Sequence, residues 1–314
     1  MGNFSRRLFA LFLALVFCWE FLPEVAFAQT PSKTPTSESN QFSIQPYLDR
    51  VVENLTEFQL DNGMKFIVLQ RRQAPVVSFL TYADVGGVDE PDGKTGIAHF
   101  LEHLAFKGTD RIGTKNYAKE KRLLERLDKL AEQVKQAQAA GEKDKVARLQ
   151  DEFKKVEEEA HNTVEQNELG RIVEQAGGVG LNATTSTEAT KYFYSFPSNK
   201  LELWMSLESE RFLNPELRRE FYKEKEVILE VRRLRVDNSP IGLLIEIFSD
   251  TAFEKHPYKR PVIGYEKDIR NLTTEDLQQF FETHYVPSNL TSAVVGDVQA
   301  AEVKKLAEVY FGRY

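Results

Sequence analysis

The chain contains 314 residues and carries a formal net charge of −7, from 41 Lys+Arg against 48 Asp+Glu. Its 41% hydrophobic and 11% aromatic content excludes a disordered or low-complexity chain. The acidic balance argues against a nucleic-acid-binding protein whose affinity depends on neutralising phosphates. Because Cys18 is the single cysteine, a disulfide framework is excluded, and a bound metal has to be held by histidines and carboxylates.

Residues 1–28 have the pattern of a secretory signal peptide. Arg6 and Arg7 precede the apolar run Leu8–Trp19, and Ala26-Phe27-Ala28 is a cleavage signal. The run of about twelve residues is shorter than the roughly 20 that span a bilayer, so we expect no stable membrane span. A retained signal anchor is the alternative. The sequence therefore predicts export, to the periplasm or the extracellular space.

The remaining chain is predicted to contain a flexible leader at 29–48 and one domain at 49–314. Strands are expected in a hairpin at Phe58–Leu69, and at Val76–Val85, Leu181–Phe196 and Leu290–Val295. Helices are expected at Gly96–Phe106, Gln166–Gln175, Lys200–Phe212, Pro215–Val236, Ile241–Phe253, Thr273–His284 and Ala300–Tyr310. Since strands and helices do not alternate regularly, this order favours an α+β fold, with helices packed on one face of a mostly antiparallel sheet.

Residues 117–165 differ from the rest of the domain, because Ala, Leu, Glu, Lys, Gln and Arg dominate them. Leucines recur at helical spacing, and residues 139–142 mark a break. We interpret this segment as an inserted helical hairpin. A solvated hairpin is favoured over a partner-binding coiled coil, since each arm contains fewer than four heptads.

One motif indicates chemistry, the H-x-x-E-H sequence from His99 to His103. Residues i and i+4 of a helix face the same side, so His99 and His103 can bind one metal ion together. Glu102 lies beside them and can accept a proton from metal-bound water, whose pKa zinc lowers to about 7. The motif is the reversed form of the H-E-x-x-H zinc-peptidase sequence.

The spacing alone could arise by chance in a surface helix, where the histidines would be ordinary polar residues. The surrounding segment is mostly apolar, however, with Ile97, Phe100, Leu101 and Leu104 among its residues. Two histidines and a carboxylate on such a helix are costly to bury unless they coordinate something.

The segment Gly96–Thr109 (GIAHFLEHLAFKGT) closely resembles the active-site segment of the insulinase/pitrilysin-like zinc peptidases, in their bacterial and mitochondrial-processing-peptidase branch. Further similarity is found at Leu181–Ser186, Phe221–Pro240, His256–Tyr258, Pro261–Gly264, Tyr285–Asn289 and Val294–Asp297. The resemblance covers about residues 50–312, except the insertion, and therefore corresponds to the N-terminal domain of the family.

The resemblance implies a zinc ion bound by His99 and His103, with Glu102 as the general base. Glu224 corresponds to the first carboxylate of the family's distal helix. The third zinc ligand of the family lies seven residues later, where this chain has Val231. The adjacent Glu230 is rotated by about 100° on an ideal helix.

Three interpretations of this departure stay open at the level of sequence. In the first interpretation, Glu230 reaches the metal through a local distortion of the helix. In the second, Glu224 or water completes a weaker site. In the third, efficient zinc binding has been lost. Three protein ligands plus water are usual for catalytic zinc.

The function implied by the resemblance is a zinc endopeptidase that acts on peptides or unfolded segments, bound as an added strand at Asn182, Ala183 and Thr184. The alternative is a non-catalytic periplasmic binding or scaffold subunit of the same fold. Members of the family enclose substrate between similar domains, whereas this chain ends just after the first. We therefore expect either a fragment or a partner that supplies a second insulinase-like domain or subunit.

Overall fold

The computed structural model describes residues 44–314. The predicted signal peptide and residues 29–43 of the predicted leader lie outside the described residues. The leader prediction was wrong at its end, because helix α1 (Gln45–Glu53) begins there. Pro46 lies in the first turn, where its missing N–H is not needed, and the Gln45 amide bonds Asp49 at 2.7 Å.

Six strands form one sheet in the order β1-β2-β6-β3-β5-β4. Their bounds are β1 Leu55–Gln59, β2 Lys65–Gln70, β3 Val76–Ala83, β4 Val179–Thr185, β5 Thr190–Pro197 and β6 Leu290–Gly296. All neighbouring pairs are antiparallel except β2 with β6. The predicted hairpin is confirmed as β1 and β2, and the predicted β-rich run Leu181–Phe196 contains two strands, β4 and β5. The mostly antiparallel α+β prediction is confirmed.

Burial alternates along the central strands, so one face of the sheet contributes to the core. Phe79 of β3 and Tyr194 of β5 are buried, for example, while their sequence neighbours are more exposed. Trp204 from a covering helix stacks on Phe79 with ring centroids 4.3 Å apart. Burial of such side chains contributes about 1.5–3 kcal/mol each, so this face holds the helices in place.

The predicted insertion forms two helices, α3 (Tyr117–Ala139) and α4 (Lys143–His161). Gly141 joins them at φ 72°, a conformation that favours glycine. The facing sides of the hairpin enclose a small core of their own, with Leu123, Leu124, Leu127, Leu130, Val156 and Ala160. Phe153 packs edge-on against Tyr222, which attaches the hairpin to the domain.

The other helices are α2 Ile97–Leu104, α5 Glu168–Gln175, α6 Leu201–Leu213, α7 Phe221–Arg232, α8 Pro240–Ala252, α9 Glu266–Asn271, α10 Thr274–His284 and α11 Ala300–Tyr310. The helix predicted from Pro215 starts later, because Glu220 has φ 57° and breaks the helical path. A π-helical turn, Arg233–Asp237, then separates α7 from α8. No helix within residues 44–314 is both long and apolar enough to cross a membrane.

Candidate metal centre and peptide edge

Helix α2 carries the H-x-x-E-H motif, and buried contacts fix its first turn. The Glu90 carboxylate accepts hydrogen bonds from the Gly96 and Ala98 N–H groups at 2.9 and 3.0 Å. Gly96 has φ 88°, and a Cβ there would lie 2.6 Å from the Ile263 carbonyl oxygen, so only glycine fits. The start of the motif helix is therefore held against the segment that contains Gly264.

His99 and His103 lie together on the side of α2 that faces away from the core. Their ring centroids are 4.8 Å apart and their planes are nearly perpendicular. The His103 Nδ1 lies 3.1 Å from Glu224 Oε2 on α7. This hydrogen bond orients the His103 ring and leaves its Nε2 for another partner, as an outer carboxylate does for a metal-binding histidine.

Glu224 lies at the centre of a small charged network. Its Oε1 bonds the Lys107 Nζ at 2.5 Å, and Lys107 also pairs with Glu220 at 3.1 Å. Burial opposes ionisation of Glu224, but the hydrogen bonds from His103 and Lys107 outweigh it and hold its pKa below the usual range. Both oxygens of Glu224 are thus engaged, and one of them holds the His103 ring in place.

Lys107 and Glu220 were not identified from the sequence. Lys107 lies beyond the end of α2 and of the predicted helix, so helical spacing gave no signal for it. Glu220 could not be found in this way, because its left-handed backbone conformation ends the preceding turn and directs its carboxylate towards Lys107. Despite partial burial, Gln166, Lys107 and Lys223 lower the pKa of Glu220 to about 2.

His99 has different surroundings from His103. Its Nδ1 is buried and has no hydrogen-bond partner among the described residues. Burial, with contributions from His103 and Arg235, lowers the pKa of His99 to about 4. The ring is consequently neutral at pH 7, the form in which imidazole binds metals.

Glu102 connects the motif helix to the edge strand β4. Its Oε2 accepts a hydrogen bond of 2.6 Å from the Thr185 hydroxyl. A carboxylate has about four lone-pair positions, so Glu102 keeps the capacity to accept a proton. A cleft of about 400 Å³ lies beside it, and its walls include His103, Asn182 and Glu224.

The predicted peptide-binding residues lie on β4, which pairs with β5 on one side and is the last strand of the sheet. The Ala183 N–H donates to the Asn182 side chain at 2.9 Å. The Ala183 N–H is therefore directed away from β5. Asn182 and Thr184, on either side of it, are exposed. The outer edge of β4 is suited to pairing with an extended peptide.

The hypothesis that Glu230 completes the metal site finds no support in the location of this side chain. Its carboxylate is half exposed and pairs with Arg233 at 2.7 Å. Among the described residues, no group of three or more His, Cys, Asp or Glu side chains could hold a metal ion. Glu230 lines a cavity between α7 and the hairpin and does not line the cleft beside Glu102.

Both oxygens of Glu224 bond His103 and Lys107, so a direct bond from Glu224 to a metal ion would require one of these contacts to break. The residues present therefore fit a catalytic zinc ion only in part. His99 and His103 supply two imidazole donors, and the usual third protein ligand is absent from the described site.

Comparisons with known proteins agree with the motif and the fold. Residues 66–146 and 159–266 match the family model "Insulinase (Peptidase family M16)", and residues 271–314 match "Peptidase M16 inactive domain". The chain is 32% identical over 254 residues to the zinc protease PqqE of Helicobacter pylori, covering 80% of this chain and 45% of that protein.

Two further relatives extend the similarity. A probable mitochondrial-processing peptidase subunit beta of Schizosaccharomyces pombe is 27% identical over 254 residues, covering 81% of this chain and 44% of that protein. A crystal structure of a protease from Helicobacter pylori superposes with a TM-score of 0.63 at 30% identity, covering 82% of this chain and 49% of that one. The chain spans about half the length of these relatives, and it belongs to the insulinase family of peptidases, family M16.

Proposed function

We propose that this chain is the motif-bearing domain of a zinc endopeptidase that acts on extended or unfolded peptide segments. One observation carries the proposal: the Thr185 hydroxyl of the edge strand bonds Glu102 of the motif at 2.6 Å. A strand added to β4 would thus run past the proton acceptor and the two histidines. The relatives named as zinc proteases support the choice of metal.

The residues of the chain have separate roles in this proposal. Asn182, Ala183 and Thr184 bind the peptide backbone through the outer edge of β4, which provides affinity without strong sequence preference. Glu102 accepts and returns a proton, and Thr185 orients its carboxylate. Glu224 positions the His103 ring.

The two-histidine donor set implies a weaker zinc site than three protein ligands would form. We therefore expect slow hydrolysis by this domain. A second insulinase-like domain or subunit is proposed to complete the enclosure of substrate, because the relatives are about twice as long as the matched region. The pattern of a signal peptide predicted at 1–28 supports a periplasmic or extracellular site of action.

A second candidate function is a non-catalytic peptide-binding or scaffold subunit of the same fold. The apolar Val231, at the position of the family's third ligand, favours it. The intact His99, Glu102 and His103 favour the enzyme instead. Zinc binding distinguishes the two candidates.

The purified chain is expected to bind up to one zinc ion at micromolar zinc, measured by metal analysis after equilibrium dialysis. The His103→Ala variant should lose this zinc because it removes half of the donor pair. The matched control is His256→Ala, which changes a histidine in an exposed loop and should leave the stoichiometry unchanged. Absence of zinc from the wild-type chain at micromolar metal would reject the enzyme in favour of the scaffold.

Peptide binding at β4 predicts a specific effect of Ala183→Pro. Proline removes the N–H that points away from β5, so a bound strand loses a backbone hydrogen bond. We expect about tenfold weaker binding of a fluorescent unfolded peptide, equivalent to about 1.4 kcal/mol. Thr184→Ala keeps the backbone donors and should bind normally. Equal affinity of both variants, with unchanged thermal unfolding, would exclude binding at this edge.

A further inference from the structure

Glu220, the residue before helix α7, has an unusual backbone conformation for its residue type. Its φ of 57° is in the left-handed region, which only one other non-glycine residue, Asn167, adopts within residues 44–314. A β-carbon disfavours this conformation, so it persists only where surrounding contacts fix it, and such residues are frequent at functional sites. The Glu220 side chain is only 7% exposed. A strained backbone and a buried carboxylate at one residue call for a common cause.

The Glu220 carboxylate connects the segment that leaves the helical hairpin to the surroundings of the metal centre. Its Oε1 accepts hydrogen bonds from Gln166 Nε2 and Lys223 Nζ, both at 3.0 Å. The His161 Nδ1 lies 3.5 Å from the same oxygen. The other oxygen, Oε2, lies 3.1 Å from Lys107 Nζ. One carboxylate thus joins the exit of the hairpin to Lys107.

Lys107 is held at both its backbone and its side chain. The Arg219 guanidinium donates to its carbonyl oxygen at 2.9 Å, and the carboxylate of the next residue, Glu220, pairs with its ammonium. The Lys107 Nζ also donates to Glu224 Oε1 at 2.5 Å. Burial opposes the charge of Lys107, but the two carboxylates together outweigh burial and raise its pKa. Lys107 is therefore a fixed cation between Glu220 and Glu224.

The charges along these contacts make Glu224 a strong acceptor for His103. Two carboxylates share the single ammonium of Lys107, which leaves a net charge of −1 on the three groups. Lys223 also pairs with Glu220, but its side chain is 53% exposed and water screens its charge. Without Glu220, Lys107 would pair with Glu224 alone and neutralise it. A neutralised carboxylate is a weaker acceptor for the His103 Nδ1–H.

We propose that Glu220 is a positioning residue for His103. It acts through two intervening side chains, Lys107 and Glu224, which hold the His103 ring with Nδ1 protonated and Nε2 available to a metal ion. All four residues line the cleft beside Glu102, so these contacts form one of its walls. The inference rests on the proposed function only in treating His103 as a metal ligand.

Nitrogen-15 NMR of the histidine-labelled, zinc-free chain tests this positioning without metal or peptide. The His103 signals are those that disappear in His103→Ala. At about pH 8.5, where imidazole is ordinarily neutral, we expect wild-type His103 to be mainly the Nδ1–H tautomer. Glu220→Gln should increase the Nε2–H form, because Glu224 becomes a weaker acceptor. Glu226→Gln makes the same change at an exposed residue of α7 and should leave the tautomer unchanged. An unchanged tautomer in Glu220→Gln would overturn the proposal.

Zinc affinity, measured by competition with a chelator, tests the route of the effect. Loss of an outer-shell partner weakens metal binding by about 10–100-fold, and Glu220 acts one contact further out, so Glu220→Gln should weaken it by about 5–10-fold. In a Lys107→Met background the same change should have an effect below about twofold, because the connecting ammonium is gone. Equal effects in both backgrounds would show that Glu220 acts on the metal directly through space, against the proposal.

Glu220→Gly separates positioning from stability. Glycine adopts a positive φ without strain, so this variant should melt at the same temperature as Glu220→Gln or higher. Its His103 tautomer and zinc affinity should nevertheless match those of Glu220→Gln, because both variants lack the carboxylate. A wild-type tautomer in Glu220→Gly would show that Glu220 has only a structural role and would contradict the proposal. If the wild-type chain binds no zinc, the proposed function fails, while the tautomer measurement still decides the role of Glu220.

Discussion

Replacing Val231 with glutamate is expected to tighten zinc binding by at least about 100-fold. Loss of a residue that only orients a metal ligand weakens metal binding by about 10–100-fold, so a new direct ligand should have an effect at or above the upper end of that range. Residue 231 lies seven positions after Glu224, which amounts to two turns and a rotation of about −20° on an ideal helix. A carboxylate at 231 would therefore lie on the same side of α7 as Glu224, whose carboxylate contacts His103. It would add the third ligand that the described site lacks.

The measurement is competition for zinc against a chelator of known affinity, with peptide hydrolysis as a second readout. Val227→Glu is the matched control, because it places the same side chain on the exposed part of the same helix. Val231→Gln controls for size without the charge. Combining Val231→Glu with His103→Ala should abolish the gain. Equal zinc affinities for Val231→Glu and Val227→Glu would show that the site is completed in another way.

The sequence predicted the local elements and the motif well, because each has a local cause. The hairpin of β1 and β2 follows from an Asp-Asn-Gly turn, and Gly63 adopts φ 95° there. The inserted helices follow from helical spacing of leucines on either side of a break at Gly141. The two histidines of the motif lie together because i and i+4 share a helix face.

Contacts that depend on distant segments could not be predicted in the same way. The Glu224 carboxylate was expected near the site, but its two partners, His103 and Lys107, come from more than 115 residues away. Glu230 was considered as a ligand on the assumption of a local distortion. The helix is regular there, and Glu230 pairs with Arg233 one turn later.

Helix α8 shows a limit of hydrophobic pattern as a guide to burial. Its apolar residues predicted a helix correctly, yet its location in the fold is determined by the polar contacts of Glu246 and Asp250. A buried arginine that needs a carboxylate partner therefore decides which side of the helix faces the domain. The need of Arg232 for a carboxylate partner arises only in the folded chain, where Arg232 of α7 also donates to the carbonyl oxygen of the distant Gly264.

Replacing Arg219 with methionine is expected to be the most destabilising single change outside the metal site, at about 3–5 kcal/mol. Arg219 and Glu120 are both 0% exposed and form a bidentate ion pair at 2.6 and 3.1 Å. The guanidinium also donates to the carbonyl oxygens of Lys107, Thr109 and Ile112. It thus joins α3 to the loop that follows the motif helix.

Methionine has nearly the length of arginine but leaves the Glu120 carboxylate buried without a partner, together with three carbonyl groups. Thermal unfolding should shift down by roughly 10 °C, given about 2–4 °C per kcal/mol for a domain of this size. Arg126→Met is the matched control, also at an arginine paired with a glutamate. Its side chain is 53% exposed and pairs at 2.6 Å with Glu152, which is 45% exposed, so its loss should cost about 1 kcal/mol or less.

The double variant Glu120→Gln/Arg219→Met separates the buried charge from lost packing. If the unpaired carboxylate causes most of the destabilisation, the double variant should be more stable than Arg219→Met alone. Because Arg219 holds the carbonyl of Lys107, we also expect weaker zinc binding in Arg219→Met at temperatures where the protein stays folded. A melting temperature of Arg219→Met within a few degrees of that of Arg126→Met would show that the loop and α3 are held by other contacts.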